Sequence, residues 1–239
     1  MKNTSVIIQA RMGSNRLPEK ILKKISDKSL LDWVIKRVKN SKKIKKIILA
    51  TTKNSKDDIL KNVANKNKVL FFRGQNKDVL SRFYEAAKIH GSKIIVRVCA
   101  DNPFIDCKLI DLLVERFRSK KYDYICNHQN RLNSKYADGF GAEIFSLDVL
   151  QNIFLNAKTK AQREHVTQYI WDNKKKFKIL SLQAPKNLAY PNLKFDINTA
   201  KDLNYIKKFV KINKISLTST AGEIIKYKLR ENKPKENTL

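Results

Sequence analysis

The loop after the first apolar run of the chain has the residue types best suited to bind an anion. The run Val6–Ile8 leads into residues 9–20, which we call the opening loop. Arg11, Arg16 and Lys20 are close enough in sequence to converge on one triphosphate, and Gly13 permits close approach of the backbone. Cations and backbone N–H groups at the carboxyl end of a strand are typical of phosphate sites in open α/β sheets. Neither a Walker A loop nor a G-x-G-x-x-G loop is present, so an ordinary basic loop is the alternative.

Two aspartates at predicted strand ends are candidate metal ligands. Asp101 follows the apolar segment Lys93–Cys99, and Asp196 ends the short predicted strand Leu193–Asp196. Carboxylates in the crevice that faces the opening loop could hold Mg²⁺ against phosphates. A turn or a helix cap is the alternative for each aspartate, and Asp106 fits the role of a cap better than Asp101 does.

Three further segments contain polar residues that could contact a ligand. Arg73 follows a predicted strand, and Asp78–Arg82 opens the next predicted helix. Asp138–Glu143 is a glycine-containing polar loop suited to a hydroxylated ligand. Arg163–His165 lies in a predicted helix, where a histidine is more often structural than catalytic. No Ser-His-Asp or Cys-His arrangement is recognisable.

The elements that must position these residues alternate along the first half of the chain. This order predicts an α/β fold, a mostly parallel sheet with helices on both faces. Strands are predicted at Ser5–Ala10, Lys46–Thr51, Val69–Arg73, Lys93–Cys99, Asp123–Cys126 and Phe177–Leu182. Helices are predicted at Ser29–Asn40, Ser55–Asn65, Lys77–His90, Asp106–Ser119, Leu147–Ala157, Arg163–Asn173 and Thr199–Ile212, with a short helix possible after Lys214.

Composition excludes several classes of protein. The chain has 239 residues and is 42% hydrophobic, which suffices for one large domain, and no run has the length of a membrane span. The net charge of +29 comes from lysines spread along the whole chain, without aromatics interleaved in basic blocks. We therefore expect no specific nucleic-acid partner and no membrane insertion. Three cysteines without metal-ligand spacing predict reduced thiols in a cytoplasmic protein.

Residues 7–22, IIQARMGSNRLPEKIL, resemble the opening signature of the cytidylyltransferases that activate acidic sugars. This family includes the 3-deoxy-manno-octulosonate and acylneuraminate cytidylyltransferases, and the resemblance is strongest to the branch named for spore coat polysaccharide biosynthesis protein F. The resemblance extends in order over Arg73–Ala87, Val96–Asp106, Asp138–Phe145 with Arg163–Trp171, and Phe195–Leu203. It implies a Rossmann-like nucleotidyltransferase fold, a requirement for Mg²⁺ and a homodimer.

The resemblance also implies roles for individual residues. Arg11, Lys20 and Asp101 are the expected catalytic residues, and Asp101 and Asp196 are the expected metal ligands. The expected nucleotide-binding residues are Gln9, Ala10, Arg11, Gly13, Ser14, Arg16, Lys20, Thr51, Thr52, Arg73 and Arg82. The expected residues on the sugar side are Asn102, Asp138, Glu143, Glu164 and His165.

A single nucleotidyltransferase domain is expected over residues 1–239. It has an irregular region for sugar binding and dimerisation at about 127–192 and a basic tail at 214–239. The expected activity is transfer of CMP from CTP to a sugar, in particular an acidic keto-sugar, with release of pyrophosphate for surface glycan biosynthesis. A glycosyltransferase or another nucleotide-sugar enzyme on a related fold is the alternative, although the Asp-x-Asp motif typical of such enzymes is missing after Cys99. A non-catalytic polyanion-binding protein is the third possibility.

The sequence departs from the branch at two places. Glu19 stands where the branch usually has glycine, and this puts an anion beside a phosphate loop. Cys99 and Ala100 stand where it usually has threonine and glycine, while Asp101 is kept. Both departures leave room for an altered substrate.

Overall fold

The fold is built on one seven-stranded sheet. The computed structural model describes residues 3–119, 121–127 and 132–231. The strand order in the sheet is β5-β4-β1-β6-β8-β7-β9, and β2 and β3 form a separate two-stranded ribbon. The strands are β1 (Thr4–Gln9), β2 (Lys24–Ile25), β3 (Lys28–Ser29), β4 (Lys46–Thr52), β5 (Leu70–Gly74), β6 (Ile94–Cys99), β7 (Tyr124–Cys126), β8 (Glu143–Ser146) and β9 (Ile179–Ser181).

Helices cover both faces of this sheet, as the alternation of elements predicts. They are α1 (Leu30–Lys39), α2 (Ile59–Lys66), α3 (Val79–Ile89), α4 (Cys107–Phe117), α5 (Leu147–Asn156), α6 (Lys160–Glu164), α7 (Gln168–Asp172), α8 (Ala200–Ile212) and α9 (Ala221–Glu231). Side chains alternate across β1, so Val6 and Ile8 join a core with α1, α4, α8 and α9, whereas Ile7 joins a core with α3, α5 and α7.

Strand direction decides which loops meet. Strands β1, β4, β5 and β6 are parallel, so their carboxyl ends lie at one edge of the sheet. Strand β8 runs antiparallel to β6, which brings its first residue, Glu143, opposite Arg97 near the same edge. The opening loop after β1 and Asp101 after β6 therefore meet, as expected for an open α/β sheet.

Several helices begin as their sequences predict. The side chain of Asp106 accepts a hydrogen bond from Lys108 N at 2.8 Å and caps α4, which confirms its interpretation as a cap. Ser29 caps α1 in the same way. Thr199 and Asp202 form a reciprocal capping box at the start of α8.

Two predictions for the second half of the chain are wrong in detail. Leu193–Asp196 is not a strand, because only Lys194 pairs there, in an isolated bridge with Asp138. The helix predicted over Arg163–Asn173 is two short helices, α6 and α7, since the chain turns at residues 165–167. In the first half, Arg37 of α1 is buried and donates to the backbone carbonyl oxygens of residues 104, 105, 216 and 219, which its place in an ordinary helical pattern does not predict.

The region expected to be irregular contains regular structure, and the short helix expected after Lys214 is present. The region 127–192 holds β8, β9, α5, α6 and α7, apart from residues 128–131, which lie outside the described residues. The tail 214–239 holds α9, whose Ala221, Ile224 and Ile225 are buried in the core, while residues 232–239 lie outside the described residues. No helix in the described part of the chain is long and apolar enough to cross a membrane. Cys99, Cys107 and Cys126 form no disulfide.

Candidate active site

A cleft of about 450 Å³ opens at the carboxyl edge of the parallel strands. Its walls are the opening loop on one side and the end of β6 on the other. Most of the residues expected to bind the nucleotide line it, together with one expected metal ligand. The lining residues are Gln9, Ala10, Arg11, Gly13, Ser14, Asn15, Arg16, Lys20, Ile21, Arg97, Val98, Cys99, Ala100 and Asp101.

The opening loop is held in place by Asp57, which follows β4 in the chain. The backbone N–H of Met12 donates to Asp57 Oδ1 at 2.7 Å, and the other oxygen of that carboxylate accepts from the Thr52 hydroxyl. Asp57 is buried, so these bonds form a fixed anchor under the cations of the loop. Sequence reasoning did not identify Asp57, because nothing in its local pattern distinguishes it from a surface helix residue.

The cations of the opening loop contact the acidic side of the cleft. Lys20 Nζ lies 3.1 Å from Asp101 Oδ2 and donates to the carbonyl of Ile197 at 2.8 Å. Arg16 Nη2 donates to Asn198 Oδ1 at 2.6 Å, and the amide of Asn198 in turn donates to Asp196. Each expected metal carboxylate is thus linked to a cation of the loop, directly or through one amide.

Three carboxylates converge behind this contact. The backbone N–H of Ile197 donates to the carbonyl of Asp101 at 2.9 Å, and that of Asp138 donates to the carbonyl of Leu193 at 2.9 Å. Burial raises the pKa of Asp196 above its usual range, and the nearby Asp101 raises it further. Burial likewise raises the pKa of Asp138, with additional repulsion from Asp196 and Asp101. Asp101, Asp138 and Asp196 therefore form one electrostatically coupled acidic group.

Gly139 makes this convergence possible. Its φ is +100°, and a Cβ there would lie 2.9 Å from Phe195 Cβ and 3.1 Å from the Phe195 backbone carbon. Only glycine combines that backbone conformation with so close an approach. The glycine therefore lets the 138–139 segment pack directly against the segment that carries Asp196.

The donor set suits a hard divalent cation. Asp101 and Asp196 are close enough to repel each other, and their oxygens are the ligands that Mg²⁺ prefers. No group of three or more metal-ligating side chains is arranged around one point in the described residues. Two carboxylates are nevertheless sufficient for Mg²⁺, which usually takes its remaining ligands from water and substrate phosphates.

Arg82 is a fully buried guanidinium with unused hydrogen-bond donors. Its Nη1 donates to the carbonyl of Gln75, whereas Nε and Nη2 have no partner among the described residues. Burial, and then the neighbouring charge of Arg11, lowers the pKa of Arg82 to about 10, so it is still protonated at neutral pH. An unsatisfied buried donor costs about 1–3 kcal/mol, and an anion between Arg82 and Arg11 would recover that cost.

Three other residues expected to bind the nucleotide lie around the end of β4 and do not line the cleft. Thr51 and Thr52 are fully buried at the end of β4. Arg73 donates from Nε to the carbonyl of Thr52 at 3.1 Å and pairs with Asp58 at 2.6 Å. The structure therefore places these three residues together, next to the loop that Asp57 anchors.

The residues expected on the sugar side do not all face the cleft. Asn102 is buried directly after Asp101, whereas Glu164 and His165 are exposed where α6 ends. Glu143 is buried behind the cleft, where it accepts hydrogen bonds from Arg97 and from the Tyr124 hydroxyl. This placement differs from the predicted direct contact of Glu143 with the acceptor.

Comparison with known proteins decides the family. The model of the cytidylyltransferase family matches residues 5–233, nearly the whole chain. The chain belongs to the cytidylyltransferase family. The match includes the opening loop, both metal-ligand candidates and the glycine-containing loop, so the entire cleft lies within the matched region of this cytidylyltransferase.

Individual relatives agree with this assignment. The cytidylyltransferase is 41% identical over 196 residues to uncharacterized protein MJ1063 of Methanocaldococcus jannaschii, covering 82% of this chain and 78% of the relative. It is 32% identical over 214 residues to spore coat polysaccharide biosynthesis protein SpsF of Bacillus subtilis, covering 87% and 86%. The solved structure of a cytidylyltransferase from Leptospira borgpetersenii superimposes with a TM-score of 0.89 at 29% identity, covering 98% of this chain and 99% of that one. The fold is thus the Rossmann-like nucleotidyltransferase fold that the sequence resemblance implies.

At one position where this cytidylyltransferase departs from its branch, the structure shows why glycine is the usual residue. Glu19 has φ +55° and ψ +25°, which is the left-handed conformation, and its side chain makes no capping hydrogen bond. Glycine adopts this conformation without steric cost, so the usual glycine has a backbone reason. Glu19 is exposed and directly precedes Lys20.

Proposed function

We propose that this cytidylyltransferase transfers CMP from CTP to a hydroxyl group of a sugar, with an acidic keto-sugar as the acceptor class, and releases pyrophosphate. Surface glycan biosynthesis is the process we assign to it. The observation that supports this most is the convergence of Arg11, Arg16 and Lys20 with Asp101 on one cleft. Such a cleft has cations for a triphosphate and a carboxylate for a metal ion in the same place.

The proposed chemistry is an in-line displacement at the α-phosphorus. A sugar hydroxyl attacks, the bond to the β-phosphate oxygen breaks, and pyrophosphate leaves while the hydroxyl proton is lost to solvent. The cations of the opening loop neutralise the β- and γ-phosphates of the leaving group. Arg82, whose Nε and Nη2 donors have no partner among the described residues and whose charge interacts with that of Arg11, is a further candidate for binding the triphosphate.

Lys20 has a double role in this proposal. Its ammonium group is shared between Asp101 and the carbonyl of Ile197. A triphosphate entering the cleft offers Lys20 a stronger anionic partner, so the ammonium moves to phosphate and leaves the Asp101 carboxylate available. Nucleotide binding and metal binding are therefore coupled through one side chain.

Asp101 and Asp196 are the residues that would hold Mg²⁺. A divalent cation held by these two carboxylates would supply positive charge to offset the charge of the phosphates and would favour loss of the acceptor's hydroxyl proton. Asn198 and Gly139 fix the position of Asp196, the first through a hydrogen bond and the second by allowing close packing.

Two further proposals come from the family resemblance. The protein acts as a homodimer in the cytoplasm, with the region around 127–192 contributing to the interface and to sugar binding. Light scattering coupled to size-exclusion chromatography measures the oligomeric state. A monomer that retains full activity would remove the dimer from the proposal.

Nucleotide preference is the first test. Thermal unfolding is recorded with CTP, UTP, GTP and ATP, each with and without Mg²⁺. We expect the largest rise in Tm with CTP and Mg²⁺ together. Pyrophosphate release is then measured with CTP across acidic sugars, neutral sugars and sugar phosphates. A larger shift with another nucleotide, or no release with any acceptor, would contradict the proposal.

A further inference from the structure

Arg97 is a charged residue in the middle of an apolar strand. Strand β6 reads Ile94-Ile95-Val96-Arg97-Val98-Cys99, and its neighbours in the sheet are buried on both faces. Arg97 shares a face with Cys99, two residues on, and both line the cleft beside Asp101. Removing a guanidinium from water into such a strand costs free energy, so the charge of Arg97 needs a hydrogen-bonded polar partner to offset that cost.

One edge of the Arg97 guanidinium is fixed by a buried carboxylate. Nη1 donates to Glu143 Oε2 at 2.6 Å across the β6–β8 pair, and the Glu143 side chain is only 3% exposed. The other oxygen, Oε1, accepts from the Tyr124 hydroxyl at 2.7 Å and from Thr167 Oγ1 at 3.2 Å. Glu143 thus forms a rigid base that sets the orientation of the arginine.

The other edge of the guanidinium is open. Nε and Nη2 of Arg97 make no hydrogen bond to the part of the chain that the structure describes, and the side chain is 21% exposed. Because Arg97 lines the cleft, this exposed edge presents its donors there. Parallel N–H donors in a planar fork are the geometry that binds a carboxylate with two hydrogen bonds.

The position of Arg97 matches the place of the acceptor in an in-line transfer. The opening loop, which takes the leaving phosphates in the proposed function, follows β1, on one side of β6. Arg97 pairs with β8, on the other side of β6. An attacking group must approach the α-phosphorus opposite the leaving group, so it enters from the β8 side.

We infer that the open edge of Arg97 binds the carboxylate of an acidic acceptor and selects acidic over neutral sugars. The inference rests on the proposed function, because it assigns the acceptor side of the same cleft. The selection has a physical reason, since an anionic acceptor must approach the acidic group of Asp101, Asp138 and Asp196 and needs fixed donors to offset that repulsion. Glu143, Tyr124 and Thr167 act as positioning residues for Arg97.

The test compares acceptors with and without their negative charge. The probes are an eight-carbon and a nine-carbon 2-keto-3-deoxy sugar acid, each beside its methyl ester, together with a sugar phosphate. Pyrophosphate release is measured for the wild type, Arg97→Met, Arg97→Lys and the control Arg116→Met, which changes an exposed arginine on α4. The rise in Tm with CTP and Mg²⁺ is measured for each variant, which reports folding and nucleotide binding separately from acceptor use.

The expected result is a defect confined to the acceptor. Arg97→Met should raise KM for the acid by about 10- to 100-fold, the loss typical of charge-assisted hydrogen bonds, and should abolish the preference for acid over ester. KM for CTP should stay within about threefold of the wild type. Arg97→Lys keeps the charge without the fork and should give an intermediate KM for the acid. Arg116→Met should behave as the wild type.

Results that contradict the role of Arg97 can be told apart from results that contradict the proposed function. The inference is wrong if Arg97→Met keeps the preference for acid over ester, or weakens CTP binding as much as acceptor binding. It is also wrong if the wild type uses a neutral sugar or the sugar phosphate while rejecting both acids, although cytidylyl transfer itself would then stand. A wild type that shows no response to CTP and Mg²⁺ overturns the proposed function, and the inference with it.

Discussion

Replacing Glu19 by glycine should stabilise the protein, because Glu19 adopts a conformation that suits glycine. Its φ is +55° and ψ is +25°. The left-handed conformation destabilises a residue with a Cβ by about 1–2 kcal/mol. Glycine avoids this strain but loses more conformational entropy on folding, which offsets about 0.5–1 kcal/mol of the gain. The expected net gain for Glu19→Gly is about 0.5–1 kcal/mol, which raises Tm by about 1–4 °C for a chain of this size.

Two control variants separate backbone strain from charge. Glu19→Ala and Glu19→Gln both remove the carboxylate and keep a Cβ, so they keep the strained backbone. Thermal unfolding should leave both within about 0.5 kcal/mol of the wild type, since surface changes without a special backbone role are usually that small. If Glu19→Gly is no more stable than Glu19→Ala, the backbone explanation for the usual glycine is refuted.

The same variants test whether the carboxylate opposes phosphate binding. Glu19 is exposed and directly precedes Lys20. The effect of its charge on phosphate binding is therefore screened by water and dissolved salt. All three variants should bind CTP with Mg²⁺ more tightly than the wild type by less than about fivefold, and the gain should shrink as salt is added. A gain found only in Glu19→Gly would instead assign the effect to loop geometry.

Three other variants test the acidic side of the cleft. Lys20→Met should strengthen the binding of Mn²⁺ in the absence of nucleotide, because Asp101 loses its ion pair, and should weaken the binding of CTP. Both affinities are measured by calorimetry. Equal weakening of Mn²⁺ and CTP binding would contradict the shared role of Lys20. Gly139→Ala should lower stability by more than about 1 kcal/mol in denaturant unfolding, because of its positive φ and the close Phe195; an unchanged midpoint would refute this. Asp196→Asn should raise Tm at neutral pH while abolishing the response to CTP and Mg²⁺, since burial and Asp101 raise the pKa of Asp196 and disfavour its ionised form. Because the pKa of Asp196 is higher in the folded protein than the 3.8 of a free aspartate, ionising this side chain destabilises the wild type as the pH rises above 3.8. In acid both states hold the proton, so the gain in Tm of Asp196→Asn should disappear there.

The sequence predicts the parts of the site whose residues are close together along the chain. Arg11, Arg16 and Lys20 lie in one loop after an apolar strand, and that pattern alone indicates an anion site at the sheet edge. Asp101 is predictable for a similar reason, because it directly follows the apolar strand β6. The alternation of strands and helices predicts the sheet, since period-two and helical patterns are local.

The remaining features of the site depend on contacts between segments that are distant in sequence. Asp57 holds the opening loop from 45 residues away, and Arg16 meets Asn198 from 182 residues away. Asp196 reaches the site through packing against Gly139, without the strand that its sequence predicts. No local pattern encodes such contacts.

Arg97 carries a sequence signal that could have marked it as a candidate site residue. A lone arginine inside an apolar strand of a lysine-rich chain requires a buried partner and a reason to be there. Its partner, Glu143, is visible in the sequence only as part of a polar loop. The cross-strand pairing that joins the two residues comes from the antiparallel β8, an arrangement that alternation of elements does not predict.

Pyrophosphate release by Asp101→Asn tests the central claim most directly. The wild type, Asp101→Asn and the exposed control Asp148→Asn are assayed with CTP, Mg²⁺ and the acceptor panel, and the unfolding of each is recorded. The account predicts release by the wild type and by Asp148→Asn, and loss of at least about 100-fold in a fully folded Asp101→Asn. Undiminished release by Asp101→Asn, or release that continues without a divalent cation, would contradict it.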